Sequence, residues 1–467
     1  MPIFTVGAAG TTSDSGFNVA GSAMLETNAD FYRTPSSEGN RKKFTISIWV
    51  KLHRGDSTAT QNIINAQVDG SNYAVLRYEN YNFEWIAYAG SQVAYLRTRA
   101  DYRDTNAWYH IVISSDTDQG TASNRTKMYV NGVQITDFIT ENYPNSAAEY
   151  KWNDDVVHSV GAFRYGSTTN NFLHAYIAEV INIDGQQLTP TSFGEFDTDS
   201  GIWKPKKIEG LTFGSQGFYL DFATRVTDPI DASGNGNNFT SSNVIADDYA
   251  LDVPTNNFCT LNPLSVGPRN NGQDSSGDLS FGNTKCSFNG SGDDFGSTMA
   301  VSTGKWYWEV RLTVAQNHGS GFVDVEHFTD GDYDASNSGI VNANGFVGSA
   351  EYSTGSQYIL NGTATSSAAT YADDDIVGYA FDVDAGEMKI YQNGTLRDTI
   401  TGIPTGVTYM PIIGDDSSTD AQFECNFGGV SAYTISSGNT DGKYGNFEYA
   451  PPAGYYALCT KRLAEFG

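Results

Sequence analysis

From Phe44 to Val50 the chain alternates: Phe44, Ile46, Ile48 and Val50 are separated by Thr45, Ser47 and Trp49. A period of two belongs to a strand with one face in a core and one face out, so this spacing predicts a half-buried strand. Similar runs follow at 73–78, 83–88, 92–97, 108–114, 127–130 and 175–183, with turn residues between them. The phrase Tyr129-Val130-Asn131-Gly132 returns as Tyr391-Gln392-Asn393-Gly394. Asn-Gly after a strand suits the positive φ angles of a type I′ turn. Its presence in both halves suggests two separate sandwiches of related design.

Composition extends this to the whole chain. With 49 Gly, abundant Ser, Thr and Asn, and few Lys, Glu, Leu or Met, there is little material for helices and much for strands and turns. The fold class expected is all-β: two antiparallel β-sandwiches in tandem, which is also the domain count that 467 residues suggest. Residues 1–20 read as a Gly-, Ala-, Ser- and Thr-rich N-terminal arm. The first sandwich is placed at 21–225, a linker with closing strands at 226–265, and the second sandwich at 266–467. Polar tracts at 228–243 and 267–277 put the boundary near residue 265.

Charge narrows the partners. Lys and Arg number 27 against 54 Asp and Glu, a net of −27, which argues against direct nucleic-acid binding because phosphates are gripped by basic side chains. Only 17% of residues are charged, so the imbalance reflects scarce bases and not a disordered acidic tail. No run approaches the roughly 18 apolar residues of a membrane helix, and residues 1–5 lack a basic-then-apolar leader. A soluble chain without membrane insertion or a signal peptide is expected. Cys259, Cys286, Cys425 and Cys459 lie far apart without a CxxC pair, and read as buried thiols of a protein made in a reducing cytoplasm.

Four segments of the first half, at 44–51, 108–112, 127–132 and 177–180, resemble in order and spacing the successive strands of laminin-G-like, concanavalin A-like jelly rolls. In the second half, Gly304-Lys305-Trp306-Tyr307-Trp308-Glu309-Val310 and the segments 375–382, 386–394, 409–413 and 426–428 resemble a SPRY domain, also a two-sheet sandwich. The connecting phrases at 217–222, 231–237, 253–258 and 451–455 are similar to segments of tailed-bacteriophage virion proteins. This resemblance implies a virion structural protein, made in the host cytoplasm and displayed on the particle. Its role would be that of a tail-fibre or spike adhesin for a host-surface glycan or receptor, partnered by other virion proteins and by further copies of itself. A capsid decoration or head fibre, and a polysaccharide-depolymerising spike, are the alternatives.

Candidate chemistry points to binding. Asp324 and Glu326 alternate as a glycosidase pair would, but Phe322 stands where a third acid in phase belongs, and the pattern fails. The six histidines form no zinc signature, and His110, inside an apolar strand, reads as a satisfied core residue. No catalytic residue and no enzyme activity is expected. Laminin-G-like relatives sometimes hold calcium at one rim of the sandwich, and Asp69, Asn72, Asp116 and Asp118 offer hard oxygen ligands for it. Sugar binding needs flat aromatic faces on polar loops. Tyr143, Trp152 and Tyr165 in the first half, and Tyr352, Tyr358 and Tyr371 in the second, are the candidates. An acidic adhesin facing an anionic envelope should bind better as salt or divalent cations are added.

Overall fold

The computed structural model describes residues 16–467 apart from 27, 54–58, 167, 225–227, 267–277, 289–293, 316–317, 331–344, 353–354 and 416–420. Residues 1–15, most of the expected arm, and the tract 267–277 therefore lie outside the described residues. Two compact units are present, Ser15–Thr255 and Asn256–Gly467. The tract 226–265, read from sequence as a linker with closing strands, is divided between them. Thr240–Ser242 and Tyr249–Ala250 close sheets of the first unit, and Leu261–Val266 opens a sheet of the second.

The first unit is a sandwich of two antiparallel sheets. The back sheet runs Val133–Gln134, Thr126–Val130, Trp108–Asp116, Lys43–Leu52, Ala175–Asp184, Ser22–Leu25, Tyr249–Ala250, with Phe218–Leu220 also paired to Ala175–Asp184. The front sheet runs Phe138–Asn142, Gln92–Thr98, Asn82–Ala89, Asn72–Glu79, Gln61–Asp69, Val157–Val160, Asp30–Arg33, Thr240–Ser242. Phe44, Ile46, Ile48 and Val50 meet Trp85, Leu76 and Leu96 in the core between the sheets. The strand Lys43–Leu52 is buried on both faces, not half-buried as its alternation predicts. Its outward residues are covered from the C-terminal side of the unit, where Trp203 and Val253 pack on Trp49, and Phe193 packs on Val112 and Ile181.

The second unit repeats the plan. One sheet runs Leu261–Val266, Asp294–Ser297, Tyr409–Asp415, His318–Asp324, Phe346–Tyr352, Gly355–Leu360, Thr363–Ser366. The other runs Asp278–Ser280, Lys285–Ser287, Gln422–Asn426, Lys305–Val314, Ile376–Asp382, Glu387–Gln392, Thr395–Thr401, joined by Tyr456–Ala457. Trp306 and Trp308 are fully buried in its core. The alternation through 322–326 does not make one strand: His318–Asp324 ends and a helix, Val325–Asp330, begins. Asp324 accepts from the Glu326 N–H at 2.9 Å and pairs with His327 Nδ1 at 2.7 Å. The two acids therefore do not share a strand face.

Both Asn-Gly turns adopt the left-handed conformations of a type I′ hairpin, with φ of 49° and 79° at Asn131-Gly132 and 50° and 74° at Asn393-Gly394. Each asparagine clamps a neighbouring strand. The Asn131 N–H donates to the His110 carbonyl and the His110 N–H to Asn131 Oδ1, both at 2.8 Å. Asn393 does the same with Ile376, at 2.8 and 2.9 Å. An aromatic ring seats on each glycine: a Cβ would lie 2.4 Å from Trp203 at Gly132 and 2.5 Å from Tyr449 at Gly394.

Candidate functional site

Side chains directly opposite one another in adjacent strands share a sheet face. Pairing across the front sheet sets Tyr32, Ser159, Asn65, Val75, Ile86, Tyr95 and Asn142 in one row on the outer face. The next row is Val157, Gln67, Tyr73, Tyr88 and Gln92, and on the other side stand Arg77, Glu84 and Arg97. The intervening residues, Ala74, Leu76, Tyr78, Phe83 and Trp85 among them, fill the core.

This face has a buried floor under a half-buried layer of rings. Asn65, Gln67, Val75, Glu84 and Ile86 are buried, whereas Tyr73, Tyr88, Tyr95, Phe163 and Tyr165 keep part of their surface in solvent. Tyr73 and Tyr88 stack with centroids 5.2 Å apart. Phe163, on a two-stranded ribbon of Phe163–Tyr165 and Thr168–Asn170, meets Tyr73 edge-on at 5.7 Å and Tyr165 at 6.1 Å. Tyr165, Phe163, Tyr73 and Tyr88 thus form a continuous aromatic ridge. The Asn65 amide nitrogen reaches Gln67 Oε1 at 3.4 Å and the Arg164 carbonyl at 3.5 Å, and its buried Oδ1 has no hydrogen-bond partner among the described residues.

Charge on the face is compensated group by group. Glu84 is gripped by Arg77 Nε at 2.8 Å and Arg97 Nε at 3.2 Å, and it accepts from the Tyr95 hydroxyl at 3.3 Å. Arg77 also pairs with Glu79 at 2.5 Å, and Arg164 holds Asp30 through two bonds of 2.8 and 2.7 Å. Arg77, Arg97 and Arg164 against Glu79, Glu84 and Asp30 give 3 − 3 = 0. Burial raises the pKa of Tyr73 and of Tyr95, with the Glu84 charge adding to the effect on Tyr95, so both phenols keep their protons. A neutral, aromatic, hydrogen-bonding surface suits an uncharged polyhydroxylated ligand.

Of the aromatics expected to bind ligand, Tyr165 belongs to this ridge. Tyr143 is half-buried against the core, and its hydroxyl donates to Glu141 at 2.8 Å. Trp152 is a core residue with no exposed surface: its indole N–H donates to Asn182 Oδ1 at 2.9 Å and its ring packs on His158 at 4.8 Å. Tyr358 packs half-buried on the second core. Tyr371 is buried in that core, edge-on to His318 at 5.3 Å, and is not available to a ligand. The side chain of Tyr352 lies outside the described residues. Tyr73, Tyr88, Tyr95 and Phe163 were not singled out from sequence. The first three alternate with core residues along their strands, which is the signal that marks them.

The calcium candidates do not converge. Asp69 and Asn72 close the hairpin between two front-sheet strands, where Asp69 Oδ1 accepts from the Ser71 N–H at 2.7 Å and from Asn72 Nδ2 at 3.0 Å. Asp116 ends a back-sheet strand, pairs with Lys43 at 2.8 Å and accepts from the Asp118 N–H at 3.2 Å. Among the described residues no three His, Cys, Asp or Glu side chains are grouped to hold a metal ion.

Residues 26–181, which hold every residue of the ridge, match the family described as the Concanavalin A-like lectin/glucanases superfamily, of laminin-G type. The first sandwich has a laminin-G-like, concanavalin A-like fold. Solved structures similar to the chain include a TRIM65 PSpry domain, at 14% identity over 38% of this chain and 93% of that one, with a TM-score of 0.28. A Bacteroides ovatus protein provisionally described as carbohydrate-binding is 15% identical over 49% of this chain and 60% of that one, with a TM-score of 0.33. Mouse laminin α1 chain domains LG4-5 are 11% identical over 91% and 93%, with a TM-score of 0.30. No curated protein matches by sequence. In the laminin-G-like sandwich His110 is a satisfied core residue, stacked between Trp49 and Trp203 and hydrogen-bonded to Ser47 and Trp203. All four cysteines are buried and free, and no helix among the described residues is long and apolar enough to cross a membrane.

Proposed function

We propose that this chain is a non-enzymatic adhesin carried on the particle of a tailed bacteriophage, in a tail fibre or spike. Its laminin-G-like front sheet would bind a neutral host-surface polysaccharide. The observation that carries the binding reading is the ridge Tyr165, Phe163, Tyr73, Tyr88, flanked by compensated charges. A run of rings favours several sugars of a chain over one terminal sugar. The phage-like phrases at 217–222, 231–237, 253–258 and 451–455 support the virion setting. Other virion proteins would anchor the chain through residues 1–20, and repeated copies on one particle make weak individual contacts sufficient.

Calorimetric titration with neutral oligosaccharides of increasing length tests the reading. Affinity rises with length and then levels off, and Tyr73→Ala or Tyr88→Ala weakens it about tenfold. Adhesion to anionic cells strengthens as salt is added, because the net charge of −27 opposes approach. If no oligosaccharide binds, or if both alanine variants bind like wild type, the front sheet is not the site.

A further inference from the structure

On the back sheet of the laminin-G-like sandwich, pairing sets Trp108, Lys51, Tyr176 and Met24 side by side on the outer face. Asp252, near the end of the unit, reaches the same place. Lys51 Nζ lies 2.7 Å from Asp252 Oδ2, and each side chain is only 1% exposed. The Trp108 indole N–H donates to the other carboxyl oxygen, Oδ1, at 3.0 Å. The Ser22 hydroxyl donates to the Asp252 backbone carbonyl at 2.5 Å, and the Tyr176 ring centre is 5.5 Å from Nζ. An amine, a carboxyl group and a donor aimed at the carboxyl oxygen are thus fixed together away from bulk water. Two full charges are costly to hold in such a place. Passing one proton from the ammonium to the carboxylate leaves neutral groups already at contact distance.

We propose that Lys51 and Asp252 condense to an isopeptide amide in the folded sandwich. Having given one proton to Oδ2, the Lys51 amine forms the Nζ–Cγ bond, and the charge that develops on Oδ1 is stabilised by the Trp108 N–H. The nitrogen then gives a second proton to the Oδ2 hydroxyl, the Cγ–Oδ2 bond breaks, and one water leaves. Ammonium and carboxylate supply every atom and proton of amide plus water, so no oxidant or cofactor takes part. The product ties a central strand to a residue 201 positions later, and the covering tract becomes covalently fastened to the sheet.

Intact mass spectrometry of the full-length, denatured and reduced chain tests this. The wild-type protein is expected about 18 Da, one water, below its sequence mass, with proteolysis releasing a branched peptide that joins Lys51 to Asp252. Lys51→Arg keeps the cation without the reactive amine and has the full sequence mass. Trp108→Phe lowers the joined fraction in freshly folded protein. A wild-type chain of full mass overturns the proposal, as does a lost water that maps to any other pair of residues. The wild-type mass and peptide map decide the matter even if a variant fails to fold.

Discussion

In the laminin-G-like sandwich the ring seated on the Asn-Gly turn is Trp203, and in the second sandwich it is Tyr449; each belongs to a tract that follows the turn in sequence and covers its sheet. The first cover is fastened at separated points. Trp203 donates to His110 Nδ1 at 2.9 Å, the Tyr219 hydroxyl to Glu179 at 2.6 Å, and Asp252 meets Lys51 at 2.7 Å. The second is fastened largely at one carboxylate. Glu309, fully buried, accepts from the hydroxyls of Tyr307 and Tyr433, both at 2.9 Å, and from the N–H groups of Glu448 and Tyr449 at 3.0 and 2.8 Å. The remaining sheets differ as well. The laminin-G-like front sheet shows rings and paired charges, whereas the corresponding face of the second sandwich holds a buried apolar cluster of Val323, Phe346, Ile359, Met410 and Ile412. One architecture thus closes one sheet by a shared device and leaves the other sheet to diverge, and the diverged sheet is the one proposed above to bind.

Replacing Glu309 should cost most. Glu309→Leu strands two phenols and two backbone N–H groups, and a loss of roughly 4 kcal/mol is expected from the second sandwich. Hydrogen exchange would show protection lost around 431–449 and retained around 203–252. If Glu179→Leu in the first sandwich proved equally damaging, the contrast between concentrated and distributed fastening would disappear.

Next in size is a pH effect carried by Glu179 in the first cover. Burial pushes the Glu179 carboxyl up to about 7, a rise that the Tyr219 hydroxyl bond only partly offsets. Between about 4.5 and 7 the folded sandwich keeps this proton while the unfolded chain has lost it, so the contribution is present at lower pH and disappears as pH rises, by about 3 kcal/mol in all. His110 and His158, held neutral by burial with pKa values of about 3 and about 4, act in the opposite direction below pH 6.5. The informative quantity is therefore the wild-type profile minus that of Glu179→Gln, from urea unfolding at pH 4.5 and 7.5. Parallel profiles would remove Glu179 from the account.

The smallest effect tests the shared device. Gly132→Ala and Gly394→Ala each force a Cβ into a ring at a left-handed backbone position, and each should cost about 2 kcal/mol. Thermal unfolding that penalised only one of them would mean that the two turns are alike in sequence but not in use.

Much of this was legible in residue order. The alternation of Phe44 to Val50 located the central strand, and the repeated Asn-Gly phrase marked two related hairpins. What alternation could not supply was the second layer over Ser47 and Trp49, because the tract that covers them has no period of its own. Trp152 looked like a loop aromatic since Lys151, Asn153, Asp154 and Asp155 surround it, yet the loop folds its ring inward onto His158. Tyr73 and Tyr88 were visible as outward residues of their strands, but only cross-strand register brings them together, and register is a long-range property. At 324 and 326 the period of two continues in sequence after the strand has stopped.

The Val19 N–H donates to the Thr255 hydroxyl at 3.1 Å, and Ser22 and Ala23 pair with Ala250 and Tyr249, so the laminin-G-like unit receives and releases the chain at one spot. A unit built this way can be cut from one gene and set into a surface loop of another while barely parting the recipient's backbone. Here that geometry comes from three residues at one end meeting three at the other.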